Sequence, residues 1–353
     1  MPIYGVRHRV KRTAEGEARP TQVAALHGDG SVRVRELSDE RKELEWVSAL
    51  RSGDTVAMSL GGSGDCLAFA AARVATQVGA RVIRIPPHAL KAERGGPDKD
   101  EDAQLLATLA CTRPELFYPV LERERAHILM RECHRAREDA KKARIACQQR
   151  IYQRLIGAVY TSPEGLFPEG GIEKAFDAAK ANDKVLQALS EEEKARGREL
   201  ERALEALDVY RVVLKPVKGC GPLIAAPIIA GIGDIRLFRT RGKLRAFTGV
   251  GCTADGQFRR RKKGEIANWN TGVRHGLFNL WDQMNRRPES PWGIRFLEEK
   301  RRLRGLHPVP VEENGKTRWS DGHVHRCARW YVLGYFVDHL FDAWWELERS
   351  YAR

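Results

Sequence analysis

An α/β domain followed by all-α segments is the fold class that this sequence predicts. Three observations predict it. In residues 1–115, short apolar runs with strand-like alternation are interleaved with helix-like runs. In residues 116–213, two long stretches combine dense charge with apolar residues at helical spacing. In residues 214–353, helical spacing returns, punctuated by glycine turns. These three segments are the expected domains.

The first segment reads as a strand at Ile3–Val10, then two strands at Gln22–Leu26 and Ser31–Leu37. The Asp29-Gly30 pair between the latter is a hairpin signal. A helix at Leu44–Leu50, a strand at Thr55–Leu60, an alanine-rich helix at Cys66–Val78 and a strand at Ala80–Ile85 follow. A hairpin followed by strand–helix–strand implies a mixed sheet. The second segment has no Gly or Pro from Val120 to Ile156, breaks at Thr161–Gly171, and resumes as a helix over Ile172–Val213. Ser190, followed by Glu191–Glu193, is a capping-box candidate inside that helix. Two long antiparallel helices predict a coiled-coil arm that pairs subunits as a dimer or tetramer. The third segment opens with helix–Gly219-Cys220-Gly221–helix, the pattern of a helix-hairpin-helix. Its C-terminal run Arg329–Leu347 is apolar around most of its circumference and reads as a buried helix, its aromatic residues as core.

The net charge is +14, and residues 211–310 alone hold 21 basic and 7 acidic residues. The rest of the chain balances. A positive excess confined to one segment points to a polyanion, such as a nucleic-acid backbone, as partner. No apolar run approaches the ~20 residues of a membrane span, and the first residues lack the apolar core of a secretory signal. Seven scattered cysteines without a CxxC pair argue against a disulfide scaffold or a zinc ribbon. The expected setting is the cytoplasm, associated with the nucleoid.

The segments VIRIPPHALKAERGGPDKDEDAQLLATLA and LKPVKGCGPLIAAPIIAGIGDIRLFRTRGKLRAFTGVGCTADGQFRRRKKGE, with the charged helical pair between them, carry a resemblance. On these the chain resembles the IS-one-ten family of insertion-sequence transposases, the bridge-RNA-guided recombinases related to the pilin invertases. The resemblance implies an RNase H-like, RuvC-type first domain, whose four carboxylates hold Mg²⁺. It also implies a helical C-terminal transposase domain with a nucleophilic serine before a glycine. DNA and a structured guide RNA would be the partners.

Carried over one residue at a time, the family's chemistry is depleted. Arg7 stands at the first-strand aspartate, and Ser59 at the glutamate of a later strand, Thr55–Leu60. Asp102 matches the final aspartate, while Lys99 takes its partner's place between Asp98 and Asp100. Asp255 stands at the serine before Gly256; Ser63 and Thr253 are the nearest hydroxyls, at the wrong spacing. A shifted register would bring in Asp29 or Asp65, both more simply read as turn residues. Paired Mg²⁺ ions need several hard anionic ligands, and a fixed guanidinium opposes them. An arginine can instead grip phosphate directly.

The expectation is therefore RNA-guided nucleic-acid binding with recombinase chemistry lost and no cofactor. The expected contacts are Arg7, Arg9, Lys218, Gly219, Gly221, Lys243 and the run Arg259, Arg260, Arg261, Lys262, Lys263. The alternative is an active Mg²⁺-dependent transposase or recombinase with a rearranged site built on Asp98, Asp100 and Asp102. Three weaker motifs remain. His323, His325 and Cys327 hint at a metal cluster but lack a second pair. Gly61–Asp65 lacks the terminal Lys-Ser/Thr of a P-loop. Cys220 and Cys252 lack a histidine base.

Overall fold

The computed structural model describes residues 2–9, 18–96, 99–163, 167–251, 258–261, 264–265, 267–313 and 316–351. Its secondary structure is mixed α/β. The elements run β1 (Ile3–Arg7), β2 (Thr21–Leu26), β3 (Val32–Leu37), α1 (Glu40–Ser48), β4 (Thr55–Ser59), α2 (Asp65–Val78), β5 (Arg81–Ile85), α3 (Pro87–Glu93), α4 (Asp102–Thr112) and β6 (Tyr118–Pro119). Then come α5 (Glu122–Thr161), α6 (Gly171–Asn182), α7 (Lys184–Glu205), α8 (Pro222–Ile232), α9 (Arg241–Thr248), α10 (Thr271–Asn285), α11 (Pro291–Leu306), β7 (Val311–Glu313), β8 (Lys316–Arg318) and α12 (Asp321–Ser350).

Two compact units share the chain, each discontinuous. The first takes residues 1–128, 232–271 and 298–353; the second takes 129–231 and 272–297. Neither follows the boundaries at 115 and 213 expected from composition. The segment 214–353 is divided between both units.

In the first unit, six strands form one sheet in the order β3-β2-β1-β4-β5-β6. β1, β4 and β5 are parallel, and β2 is antiparallel to both neighbours. The β2–β3 hairpin turns where Asp29-Gly30 predicts it. The Asp29 carboxylate accepts from the Ser31 amide at 2.9 Å, and Gly30 takes φ +82°. β4 alternates as a doubly covered strand should. Val56 and Met58 join a core with α1 and α2, while Ala57 joins one with α3 and α4 on the other face. On that second face α4 lies directly over β1. A Cβ at Gly5 would sit 1.9 Å from the Ala103 carbonyl oxygen and 2.5 Å from the Ala107 nitrogen. Only glycine permits this approach.

The C-terminal part of the first unit is built on α12. Its buried face includes Val332, Leu333, Phe336, Val337, Leu340 and Trp344, whereas Trp330, Tyr331, Tyr335 and Trp345, expected as core, are only half-buried. α9 is tied to it by Arg245 to Asp338 and by Arg241 to Asp342 at 2.7 Å. Beneath lies a buried ionic cluster. Arg84 of β5 reaches Asp65 at 2.9 Å, while Arg236 reaches Asp234 at 2.6 Å and Glu124 at 3.4 Å. Glu348, near the end of α12, lies 3.9 Å from Arg236 and 3.2 Å from Arg123. Five separated stretches of sequence thus meet through charge. Burial raises Glu348 above the ordinary carboxylate range.

His127 borders this cluster and stacks on Trp344, with ring centroids 5.8 Å apart. Burial drives its pKa down to about 4. The unfolded imidazole titrates near 6.5, so the unfolded chain binds the extra proton first. Stability present above pH ~6.5 is expected to fall by up to about 3 kcal/mol as pH drops to ~4. Urea titrations at a series of pH values check this, because His127→Phe removes that share of the dependence.

The second unit is helical among its described residues. The expected continuous helix over 172–213 is instead α6 and α7, followed by a π-helical turn at Val209–Leu214. The cap is Asp183, whose carboxylate accepts from the Leu186 amide at 2.7 Å. Ser190 is not a cap. It lies within α7 and donates back to the Leu186 carbonyl at 2.7 Å. Glu193 of α7 joins Arg137 at 2.8 Å and Arg144 at 2.5 Å on α5, which fixes the two helices of the arm.

Candidate nucleic-acid interface

Two places in the first unit collect most of the described candidate residues. The first is the end of the sheet. Val6 pairs with Met58 in the β1–β4 register, so Arg7 and Ser59 follow side by side at the C-terminal ends of two central parallel strands. Asp102 opens α4, which crosses β1, and is buried. Arg7 and Ser59 are therefore neighbours at the end of the sheet, and Asp102 begins the helix that packs on β1. Lys99 is exposed in the preceding loop, and its carbonyl accepts from the Asp102 amide at 3.1 Å.

Asp100 and Asp102 are both paired with arginine. Asp100 accepts from Arg7 at 3.2 Å and from Arg19 at 2.8 Å. Asp102 is gripped in a fork by Arg94, Nε to Oδ1 and Nη2 to Oδ2, both at 2.6 Å. Arg9 is likewise occupied, reaching Glu40 at 2.6 Å and Glu43 at 3.4 Å. Thr21 donates to Glu43 at 2.5 Å, and His8, held below its ordinary pKa by burial, lies 3.7 Å from it. The strand ends thus form a lattice of ion pairs. A Mg²⁺ pair would have to displace Arg94 and share its ligand shell with the Arg7 guanidinium. The described residues do not fit it.

Asp98, Cys252, Thr253, Asp255, Gly256, Lys262 and Lys263 lie outside the described residues. Asp29 and Asp65 have structural duties. Asp29 serves the hairpin turn, and Asp65 pairs with Arg84 while accepting from the Gly61 amide at 3.1 Å. Gly61–Gly64 is the turn from strand to helix.

The second place is the basic surface around the start of α12. Arg259 is half-buried and bonds to Asn268 at 3.1 Å, while Arg260 and Arg261 are exposed. Phe258 anchors this run by packing on Trp330 and Tyr331 of α12, with centroids 6.3 and 5.3 Å away. Arg260 is near enough to α12 to act on His323. Burial, then Arg326, Arg318 and Arg260, lower the pKa of that imidazole. Arg318 of β8 and Arg326 of α12 therefore converge with the run, although some sixty residues separate them in sequence. Their convergence is the part of the surface that sequence reasoning missed; no run or motif marks either arginine.

Lys218, Gly219 and Gly221 belong to the second unit, with Lys218 exposed. Gly219 has φ +90°, and a Cβ there would meet Gln283 Cβ at 2.6 Å. Close packing on α10 accounts for that glycine. Burial pushes the Cys220 thiol up to about 12, which keeps it protonated at neutral pH. Lys243 is exposed on α9. His323 is committed to the backbone, its Nδ1 lying 3.0 Å from the Trp319 amide, and Cys327 is buried. Among the described residues, no three His, Cys, Asp or Glu side chains are placed to hold a metal, and no helix is long and apolar enough to cross a membrane.

Compared with known proteins, the chain matches no family model and no curated sequence.

Proposed function

We propose that this chain binds nucleic acid on an RNase H-like scaffold without metal-dependent strand chemistry. The observation that carries the reading is that Arg260, Arg318 and Arg326, drawn from three separated segments, are all near enough to His323 to act on it, with Arg261 exposed next to Arg260 in sequence. Such a concentration of cations is stabilised by a polyanion that replaces its counterions. The sheet order, with β1, β4 and β5 parallel, β2 antiparallel between β3 and β1, and β6 antiparallel at the far edge, is compatible with an RNase H-like domain. Loss of cutting follows from the arginine fork on Asp102 and from Arg7 and Ser59 at the strand ends. DNA and a structured guide RNA are the partners in this reading, in the nucleoid of the cytoplasm. Self-association as a dimer or tetramer runs through the arm of α5 and α7.

Fluorescence anisotropy with labelled duplex DNA and with the RNA that co-purifies tests it. Affinity is expected to fall linearly with salt on log–log axes, with a slope near −0.9 per phosphate contacted on duplex. Arg260→Ala with Arg261→Ala is expected to flatten the slope by about 2. A salt-independent affinity, or a slope untouched by the pair, contradicts the reading.

A further inference from the structure

β3 is the terminal strand of the six-stranded sheet. Along its outer edge, among the described residues, no strand pairs with its outward N–H and C=O groups. Five of its six residues, Val32 to Glu36, are exposed, and Leu37 alone is buried. The cross-strand registers assign its two faces. Gly5 lies opposite Ala24, and Ala24 opposite Val34, so Val34 is on the face that α4 covers. Val32 and Glu36 share that face by alternation. Val6 lies opposite Val23, and Val23 opposite Arg35, which puts Arg33, Arg35 and Leu37 on the face of α1 and α2.

Both faces are left unfinished at this edge. On the first, the cover of α4 stops at β2: Ala24 is fully buried, while its neighbour Val34 is 46% exposed and Val32 38%. On the second, Leu37 is fully buried, but Arg33 and Arg35 are exposed and have no ion-pair partner among the described residues. The one carboxylate of the strand, Glu36, is on the opposite face and accepts from Gln22 at 3.2 Å. The edge thus offers an open ladder, two valines on one side and two guanidinium groups on the other.

A second copy of the chain does not fit it. A two-fold antiparallel pairing keeps the odd-numbered residues of both copies on one face. The central registers then set Arg33 against Arg33, Arg33 against Arg35, or Arg35 against Arg35, and like charges directly opposite are destabilising. An extended segment of another protein fits if it carries carboxylates at alternate positions and apolar side chains between them. We propose that β3 is a docking edge for such a segment, which adds to the sheet as a further strand. Its carboxylates would meet Arg33 and Arg35 on one face, its apolar side chains would cover Val32 and Val34 on the other, and its backbone would complete the ladder.

The probe is a labelled, strand-length peptide of alternating glutamate and valine, read by fluorescence anisotropy on the full chain. It is expected to bind at low salt and to weaken as salt is raised. The same peptide with its backbone amides N-methylated, and one with lysine in place of glutamate, are expected not to bind. Arg33→Glu with Arg35→Glu is expected to weaken the glutamate peptide about ten-fold or more, because attractive cross-strand pairs become repulsive. That variant is expected to accept the lysine peptide in exchange. Circular dichroism checks its fold, and Arg33→Gln with Arg35→Gln, expected to weaken the glutamate peptide in the same direction, replaces it if the fold is lost. Absence of binding by the glutamate peptide overturns the proposal and leaves the arginines as guards against self-pairing. Equal binding of the N-methylated peptide overturns it as well, since attraction without a ladder is not strand addition. A substituted chain that keeps its peptide affinity but loses affinity for duplex DNA also overturns it, and assigns this edge to nucleic acid.

Discussion

Replacing Gly5 with alanine is expected to remove about 3 kcal/mol or more of folding stability. The added methyl would meet backbone, the Ala103 carbonyl at 1.9 Å and the Ala107 nitrogen at 2.5 Å, with Leu106 Cβ at 3.0 Å beyond. No rotamer change relieves a clash between two backbones, so α4 would have to lift from β1. The same movement would carry Asp102 away from the strand ends, because it opens α4. Urea denaturation measures the loss. A change below about 1 kcal/mol would mean that α4 does not lie on β1 as described.

Arg236→Ala is expected to cost about 3–5 kcal/mol, the usual result of stripping one partner from a buried ionic group. The guanidinium is almost fully buried and holds Asp234, Glu124 and Glu348 together. Burial lowers its pKa, but the hydrogen bonds and charge of Asp234 outweigh this and raise it overall. Without it, three carboxylates face one another with Arg84 and Arg123 as the nearest compensation. Arg236→Lys is expected to restore only part of the loss, since an ammonium lacks the planar fork that grips Asp234. Circular dichroism in urea on both variants checks the order: parent, lysine, alanine. An alanine variant as stable as the parent would show that the five stretches are held by apolar packing alone.

These two residues also mark what the sequence made legible. β1, β4 and β5 are visible because a doubly covered strand is an apolar run, and the β2–β3 hairpin because Asp29-Gly30 admits one tight turn. Gly5 itself gives no sign; its role depends on a helix that begins almost a hundred residues later. The break between α6 and α7 is equally silent. One aspartate, Asp183, caps the second helix without glycine or proline, while Ser190 imitates a cap from inside it. The discontinuous first unit is hidden for the same reason: Arg84, Glu124, Arg236 and Glu348 pair across long stretches of chain, and local patterning does not encode such pairs. At the candidate interface, the run Arg259–Arg261 is plain in the sequence. Arg318 and Arg326 join it only through the packing of β8 and α12. At the strand ends, Arg7 and Ser59 are plain in the sequence. Their consequence depends on Arg94 and Arg19, whose reach to Asp102 and Asp100 only the fold reveals.

The central claim is that guanidinium groups occupy the strand-end carboxylates, so that the chain holds nucleic acid without cutting it. The most direct measurement is incubation with supercoiled plasmid over a range of Mg²⁺ and Mn²⁺, read on agarose, alongside the Asp102→Ala variant and the co-purified RNA. The account predicts that both proteins leave the plasmid supercoiled at every metal concentration while the parent still retards it at low salt. Metal-dependent nicking or strand exchange by the parent, abolished in Asp102→Ala, would contradict it.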